Sequence, residues 1–325
     1  MRRITVNIND GGQRLDKFVQ KTVWGLPPSL MYKFIRTKKI KVNGKRAELS
    51  YRLNEGDAVD FYIPDEFFDK KTADSDFSYA RCDFDILYED ENILLCVKKP
   101  GMLVHAGDAD ERNSGENTER NTLLYQIKAY LYRKGEYEPE NENSFSPSLC
   151  NRIDRNTGGI VIAAKNAAAL REMNEEIKNG GVTKKYLCAV HGRMEKNRDV
   201  LRAYLFKDAK TKRVYVSDTS KPGSKTIVTE YEVLAYNRKQ DLTLAEVTLH
   251  TGRTHQIRAH FSYTGHPLLG DGKYGKNKND RETGWKHQAL YSYKLEFHPV
   301  TDYFSYLDRK TFEVDKKNID FLKLF

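Results

Sequence analysis

The chain reads as two domains in which helices and strands are mixed, and three observations carry that reading. Its 325 residues suffice for one small and one large hydrophobic core. Its charge is partitioned: residues 14–46 hold ten Lys or Arg against one Asp, whereas residues 66–92 hold nine Asp or Glu against three basic residues. Its apolar residues recur at helical spacing in some stretches and alternate at strand spacing in others. These features divide the chain into a basic module over 1–65, an acidic linker over 66–82 and a larger domain over 83–325.

Hydrophobic residues make up 39% of the chain and charged residues 31%, the balance of a soluble globular protein. No run approaches the roughly 18 apolar residues that a membrane span needs. The segment Met1–Asp10 lacks the apolar core of a signal peptide, so a cytoplasmic protein without a membrane partner is expected. Cys82, Cys96, Cys150 and Cys188 are far apart and form no Cys-x-x-Cys pair, so neither a zinc site nor a disulfide framework is expected. The formal net charge is +9, and its concentration in the amino-terminal module points to a polyanionic partner.

Along the chain, Leu15, Phe18, Val19 and Val23 fall on one helical face. Pro27 and Pro28 interrupt it, and Ser29 is the expected N-cap of a second helix that buries Leu30, Met31, Phe34 and Ile35. Lys33 and Arg36 share that helix's outer face. Ile40–Val42 alternates as a strand, Asn43-Gly44 signals a tight hairpin, and Gly56–Phe61 supplies another short strand. The basic side chains Arg14, Lys33, Arg36, Lys38, Lys39, Lys41, Lys45 and Arg46 collect on this module as an RNA-sized electrostatic footprint.

Ile93–Val97 reads as a buried strand, and the Pro100-Gly101 turn after it is expected to set Lys98, Lys99 and His105 near one mouth. Residues 108–120 are almost devoid of apolar side chains and read as a mobile surface insertion. A helix over 122–133 is expected to bury Leu123, Leu124, Ile127, Tyr130 and Leu131. Gly159–Ala164 reads as a core strand, and Asn166 as the cap of a helix that buries Leu170, Met173 and Ile177 and stops at Gly180-Gly181. In the strand around Lys185-Tyr186-Leu187, alternation puts Tyr186 opposite Leu187 and alongside Cys188 and Val190. Lys225–Tyr236 and Asp241–His250 form an expected antiparallel hairpin, after which Thr254 is the expected cap of a helix with Ile257 and Phe261 inward.

Two stretches carry chemistry. In Asn151-Arg152-Ile153-Asp154-Arg155-Asn156-Thr157-Gly158-Gly159, one carboxylate stands between two arginines just before a buried strand. Nearby cations favour the ionised form of an acid, which suits a nucleophile or proton acceptor. An isolated Asp-Arg pair is most often a salt-bridged turn. The second stretch, Thr251-Gly252-Arg253-Thr254-His255-Gln256-Ile257-Arg258, supplies a further pair of arginines.

Those two blocks, with Lys185-Tyr186-Leu187, Lys99-Pro100-Gly101 and Gly265-His266-Pro267-Leu268 through Asp271, resemble the RluA-like family of pseudouridine synthases over nearly all of residues 83–300. Residues 10–62 resemble an S4 RNA-binding domain through Arg14-Leu15-Asp16, Arg36-Thr37-Lys38-Lys39 and Ile40-Lys41-Val42-Asn43-Gly44-Lys45. The chain departs from the family at Asn151, where His is usual, and at Gly158, where Ser is usual and Gly is expected to loosen the loop.

The resemblance implies an α+β fold: a small S4-like domain, then a catalytic domain with a mixed, mostly antiparallel central sheet, flanking helices and a cleft across the middle. It implies isomerisation of uridine to pseudouridine in RNA, most naturally 23S ribosomal RNA. Asp154 would act at C1′, where breaking the glycosidic bond develops oxocarbenium character. Arg258 would pair with Asp154 and orient it. Tyr186 would lie over the uracil and take the C5 proton. Arg152 would fill the space left by a uracil drawn out of its stack, and Arg253 would contact RNA. No cofactor is implied, since bond energies nearly balance and nothing is oxidised; no metal site is expected, and a monomer is expected. His250, His255 and His260 are spaced by five, which fans them around a helix instead of pairing them as ligands. Two other classes compete: a catalytically silent RNA-binding or ribosome-assembly protein, and a metal-dependent nuclease or hydrolase acting on RNA, which would need clustered Asp, Glu or His ligands.

Overall fold

A computed structural model describes residues 1–68, 77, 80–108, 118–208, 211, 213–276 and 278–325. The basic module is a three-stranded sheet in the order β1-β3-β2, from β1 (Arg2–Thr5), β2 (Ile40–Val42) and β3 (Ala58–Phe61). It shares one core with α1 (Leu15–Thr22) and α2 (Pro28–Arg36). Leu15, Phe18, Val19 and Val23 are all buried, as their spacing requires. Ser29 does not cap α2. The helix begins at Pro28, where the missing N–H costs nothing because first-turn donors have no partner within the helix. Met31 and Ile35 are buried, while Leu30 and Phe34 are half-buried at the edge. Asn43 and Gly44 take φ of 51° and 71°, as a tight hairpin turn needs. The lasting partner of β2 is nevertheless β3, with Ile40 opposite Phe61.

The larger sheet has eleven strands among the described residues. They are β4 (Phe84–Glu89), β5 (Ile93–Lys98), β6 (Ser148–Leu149), β7 (Gly158–Ala164), β8 (Val182–His191), β9 (Arg198–Asp208), β10 (Arg213–Ser217), β11 (Lys225–Asn237), β12 (Leu242–Leu249), β13 (Leu290–Phe297) and β14 (Thr311–Glu313). Its order is β10-β9-β11-β12-β8-β13-β7-β5-β4, with β14 on β13 and β6 on β7. Among the described residues the β7–β13 pairing alone is parallel, so the sheet is mixed and mostly antiparallel. The expected 225–250 hairpin is β11–β12.

Two cores lie on opposite faces of this sheet. Tyr186, Cys188 and Val190 enter one with α3 (Leu123–Arg133) and α5 (Gln256–Tyr263). Leu187 and Ala189 enter the other with α4 (Ala167–Asn179) and the carboxy-terminal turns. Thr122 caps α3 by accepting from Tyr125 N at 3.2 Å, and Asn166 caps α4 by accepting from Ala169 N at 2.8 Å. The α3 face is turned slightly from the expected one: Tyr125 and Ala129 are buried, Leu124 and Tyr130 half-buried. On α4, Met173 is buried while Leu170 and Ile177 are half-buried. The buried Glu176 accepts from Val300 N at 2.8 Å and Thr301 N at 2.9 Å, tying α4 to the chain after β13.

Residues 69–76, 78 and 79 of the expected linker, and 109–117 of the expected insertion, lie outside the described residues. Phe77 is buried against Tyr125 and Tyr137. The basic module meets the larger domain through side chains: Asn7 and Asn9 donate to Glu142, and Asp10 accepts from Asn143 and Ser144.

Candidate active site

Asp154 sits in the loop between β6 and β7, and the sequence fixes that loop from several sides. Asn151 Oδ1 accepts from Ile162 N at 2.7 Å, so the family's usual His is replaced by an acceptor for the strand backbone. Ile153 is buried as an apolar anchor, and Thr157 N donates to Asp154 O at 3.0 Å. Gln288 holds Thr157 Oγ1 at 3.2 Å. Gly158 does not loosen the loop as expected. It is buried in β7, and a Cβ there would lie 2.5 Å from the Tyr291 ring and 3.1 Å from Pro100. The Tyr291 ring occupies the room that a side chain would need.

Arg258, on the first turns of α5, brings the two sequence blocks together. Its Nη1 donates to Asp154 Oδ2 at 2.7 Å. Its Nε and Nη2 grip Asp271 at 2.7 and 2.9 Å, and Asp271 Oδ1 also accepts from Lys273 N and Tyr274 N. Burial pushes the Asp271 carboxyl up, but Arg258 and these backbone donors outweigh it and hold it below the usual range. Exposure rises toward the Asp154 end of this row, from none for the Asp271 side chain through 9% for Arg258 to 23% for Asp154. Tyr274 stacks its ring 5.3 Å from the Arg258 guanidinium and meets His255 Nδ1 at 2.8 Å. His255 Nε2 lies 3.9 Å from Asp154 Oδ1. Burial lowers His255 to about 4, so it is neutral at physiological pH despite that carboxylate.

Thr254 does not cap α5. His255 occupies the N-cap in a left-handed conformation with φ of 51° and makes no side-chain cap. The preceding loop is closed by Gln256, which accepts from Thr251 Oγ1 and Arg253 N and donates to Val228 O and Thr229 Oγ1. The Gln256 amide serves four groups at once, which a capping hydroxyl could not.

Tyr186 lies in β8 on the same face as the site and is buried. Burial pushes its phenol up to about 12, the Ser292 hydroxyl pulls it down, and Asp154 adds to the rise. Lys98 is not at a mouth as expected; it is buried beneath the Lys99–Met102 turn, while Lys99 is exposed. Arg152 and Arg253 are exposed beside the loop and the α5 entrance, and Arg14, Lys33, Arg36, Lys38, Lys39, Lys45 and Arg46 are exposed on the small module. Lys41 is half-buried with its ammonium 5.1 Å from the Tyr62 ring, and Arg14 is bridged to Asp16 at 2.9 Å. Asp271, Tyr274 and Lys98 were not anticipated as site residues. Asp271 carried a signal, since an acid between Leu269-Gly270 and Gly272 needs a partner if the segment is buried. His250 and His260 turn to Glu230 and Thr229, away from His255. Among the described residues, no group of three or more His, Cys, Asp or Glu could hold a metal ion.

Residues 92–263 match the family described as RNA pseudouridylate synthase, and residues 13–59 match the S4 domain. An RNA pseudouridine synthase of Bacillus subtilis (strain 168) is 32% identical over 299 residues, spanning 92% of this chain and 90% of that one. The ribosomal large subunit pseudouridine synthase C of Escherichia coli (strain K12) is 30% identical over 312 residues, spanning 92% and 89%. Among solved structures, human RNA pseudouridylate synthase domain containing 1 shares the fold, with a TM-score of 0.52 at 22% identity over 76% of this chain and 84% of that one. The chain belongs to the RNA pseudouridylate synthase family. It is an isomerase acting on RNA, with an S4 domain ahead of its catalytic fold.

Proposed function

We propose that this enzyme converts specific uridines of the large-subunit (23S) ribosomal RNA to pseudouridine in the cytoplasm, acting as a monomer, with Asp154 working at C1′ of the target nucleotide. The observation that carries the proposal is the Asp154–Arg258 contact at 2.7 Å, backed by the buried Asp271. Relatives named for the large ribosomal subunit over nine-tenths of this chain support the substrate. The domain division 1–65 and 83–325 assigns RNA capture to the first part and chemistry to the second.

In the reaction the N1–C1′ bond breaks, the uracil turns, C5 bonds to C1′, and the C5 proton leaves as N1 gains one. No electrons enter or depart. The carboxylate of Asp154 stabilises or attacks the developing charge at C1′, and Arg258 holds it in line. Tyr186 stays a neutral phenol at physiological pH, so it receives the C5 proton only by handing its own onward: a relay, not a phenolate base. Arg152 fills the stack that the target base vacates, and Arg253 and the S4 cations hold phosphates.

The test is to map pseudouridine in 23S RNA with and without the gene, and to assay Asp154→Asn on unmodified RNA. Turnover is expected to vanish while RNA affinity stays within about a factor of ten, because amide and carboxylate are isosteric and only one carries the charge. Substantial turnover by the variant would remove Asp154 from its role. An unchanged 23S map with lost sites in transfer RNA would move the substrate.

A further inference from the structure

Lys98 ends β5 with its side chain wholly buried, an uncommon place for an ammonium group. Its Nζ lies 3.0 Å from Lys99 O, 2.9 Å from Met102 O and 2.8 Å from Arg155 O. Three donors meet three carbonyls, which is the full capacity of an ammonium. We infer that Lys98 is a positioning residue for the reaction: its ammonium binds the Lys99–Met102 turn to Arg155 and so fixes the carbonyl of the residue that follows Asp154. The inference rests on the reading of Asp154 as the group that acts at C1′.

The geometry around Arg155 shows why one cation matters here. Arg155 O accepts from Gly101 N at 2.9 Å as well as from Lys98, and Arg155 Nε donates back to Gly101 O at 3.0 Å. Gly101 adopts φ of 93°, a conformation that lets the turn fold over Lys98. Turn and catalytic loop are therefore one hydrogen-bonded unit with Lys98 at its centre. An apolar residue at 98 would leave the Lys99, Met102 and Arg155 carbonyls short of a donor in a buried place. The loop would shift to find water, and Asp154 would move with it.

The unit is also sensitive to charge. The charged and titratable groups facing Lys98 are Asp154 and Arg155 from the loop and Cys96 from its own strand. Its strand neighbours Phe84 on β4 and Gly159 on β7 do not titrate. Burial brings the ammonium down to about 7, with Asp154 drawing it back up and Arg155 opposing. Cys96 stays a thiol, since burial pushes it up to about 12. A neutral amine keeps two N–H groups for three carbonyls, so the clamp slackens as pH rises.

The experiment compares wild type with Lys98→Met in single turnover on saturating, unmodified RNA across a pH series, with Asp154→Asn alongside. Lys98→Met is expected to slow turnover roughly 10–100-fold, the scale of a small misplacement of a reacting group. RNA affinity should be unchanged, and the alkaline fall in the wild-type rate should be absent from the variant. Hydrogen exchange should lose protection at Gly101 and Thr157 while β8 keeps its own. A wild-type rate in Lys98→Met, an alkaline fall that persists in it, or protection lost evenly through β8 and α4 would each overturn the inference. If Lys98→Met does not fold, Lys98→Gln, whose amide keeps two donors, takes its place in the same comparison. Activity in Asp154→Asn would instead sink the reading on which the inference rests, whatever Lys98→Met does.

Discussion

Arg258 gives two nitrogens to Asp271 and a third to Asp154, so the carboxylate that we propose acts at C1′ is oriented by a guanidinium that cannot itself turn. A lone Arg–Asp pair at a surface contributes little, because both long side chains must be held still. Here Asp271 has already taken that entropy from Arg258, and Tyr274 covers its face. Tyr186 works under the opposite constraint. Its ring is sealed in the core with Cys188, Val190 and Val247, and burial keeps its phenol protonated. Tyr186→Phe therefore keeps the packing and loses only the hydroxyl, at a stability cost of about 1 kcal/mol for a buried hydrogen-bonding group. The reaction should stall after glycosidic cleavage. Tritium release from C5-labelled uridine is expected to fall roughly 10²–10⁴-fold, the share that acid–base catalysis supplies. Release at the wild-type rate would leave Tyr186 with a packing role alone.

At the scale of elements, the site depends on where β7 and β13 run side by side. Tyr291 and Ser292 pair with Gly158 and Gly159 there, in the sheet's parallel contact. Gly159 has φ of 117°, and a Cβ on it would lie 2.0 Å from Ser292 O. Gly159→Ala is expected to lower stability by about 1–3 kcal/mol for overpacking, with a further cost of roughly 1–2 kcal/mol for the backbone conformation. A lower denaturant midpoint with an unchanged slope would show it. An unchanged midpoint would mean that β13 moves freely away from β7. The sequence announced β7 through its run of apolar residues, and announced β8, β11 and β12 through alternation. It did not announce β1, whose Arg2-Arg3-Ile4-Thr5 has no alternating face, or β9 and β10, which carry apolar residues toward solvent as well as core. The Asp154–Arg258 contact was legible from the two sequence blocks that resemble the family, and the inward face of Tyr186 from the alternation around it. Asp271 and Lys98 were not, because their roles are set by burial, and burial is a property of the folded chain. Gly158 shows the same limit: its meaning lies in the Tyr291 ring, far along the sequence.

At the scale of the whole molecule, the S4 domain and the catalytic fold are joined by polar side chains around Asp10 and Glu142, a contact outside which the basic cluster from Arg36 to Arg46 lies. Arg36, Lys38, Lys39, Lys45 and Arg46 are exposed, and none lies within the Asn7–Gln13 stretch that meets residues 142–144. Deleting residues 1–65 would strip Glu142, Asn143 and Ser144 of their partners, and so confuse weakened RNA binding with a disturbed catalytic domain. Changing the five cations to Gln avoids this, since exposed substitutions of this kind usually alter stability by less than about 0.5 kcal/mol each. Phosphate contacts position a protein on RNA without reading sequence, and each one releases counterions. The variant's log–log dependence of binding on salt should therefore flatten by roughly 0.7–0.9 for every phosphate that it no longer neutralises. The single-turnover rate on saturating RNA should hold, because Asp154, Tyr186 and Arg258 all lie beyond the S4 domain. Binding measured from low to moderate salt, with the saturated rate alongside, checks both halves. An unchanged slope would make these cations ordinary solvated surface. A collapse of the saturated rate with the fold intact would mean that the S4 domain helps to assemble the active complex as well as to capture RNA.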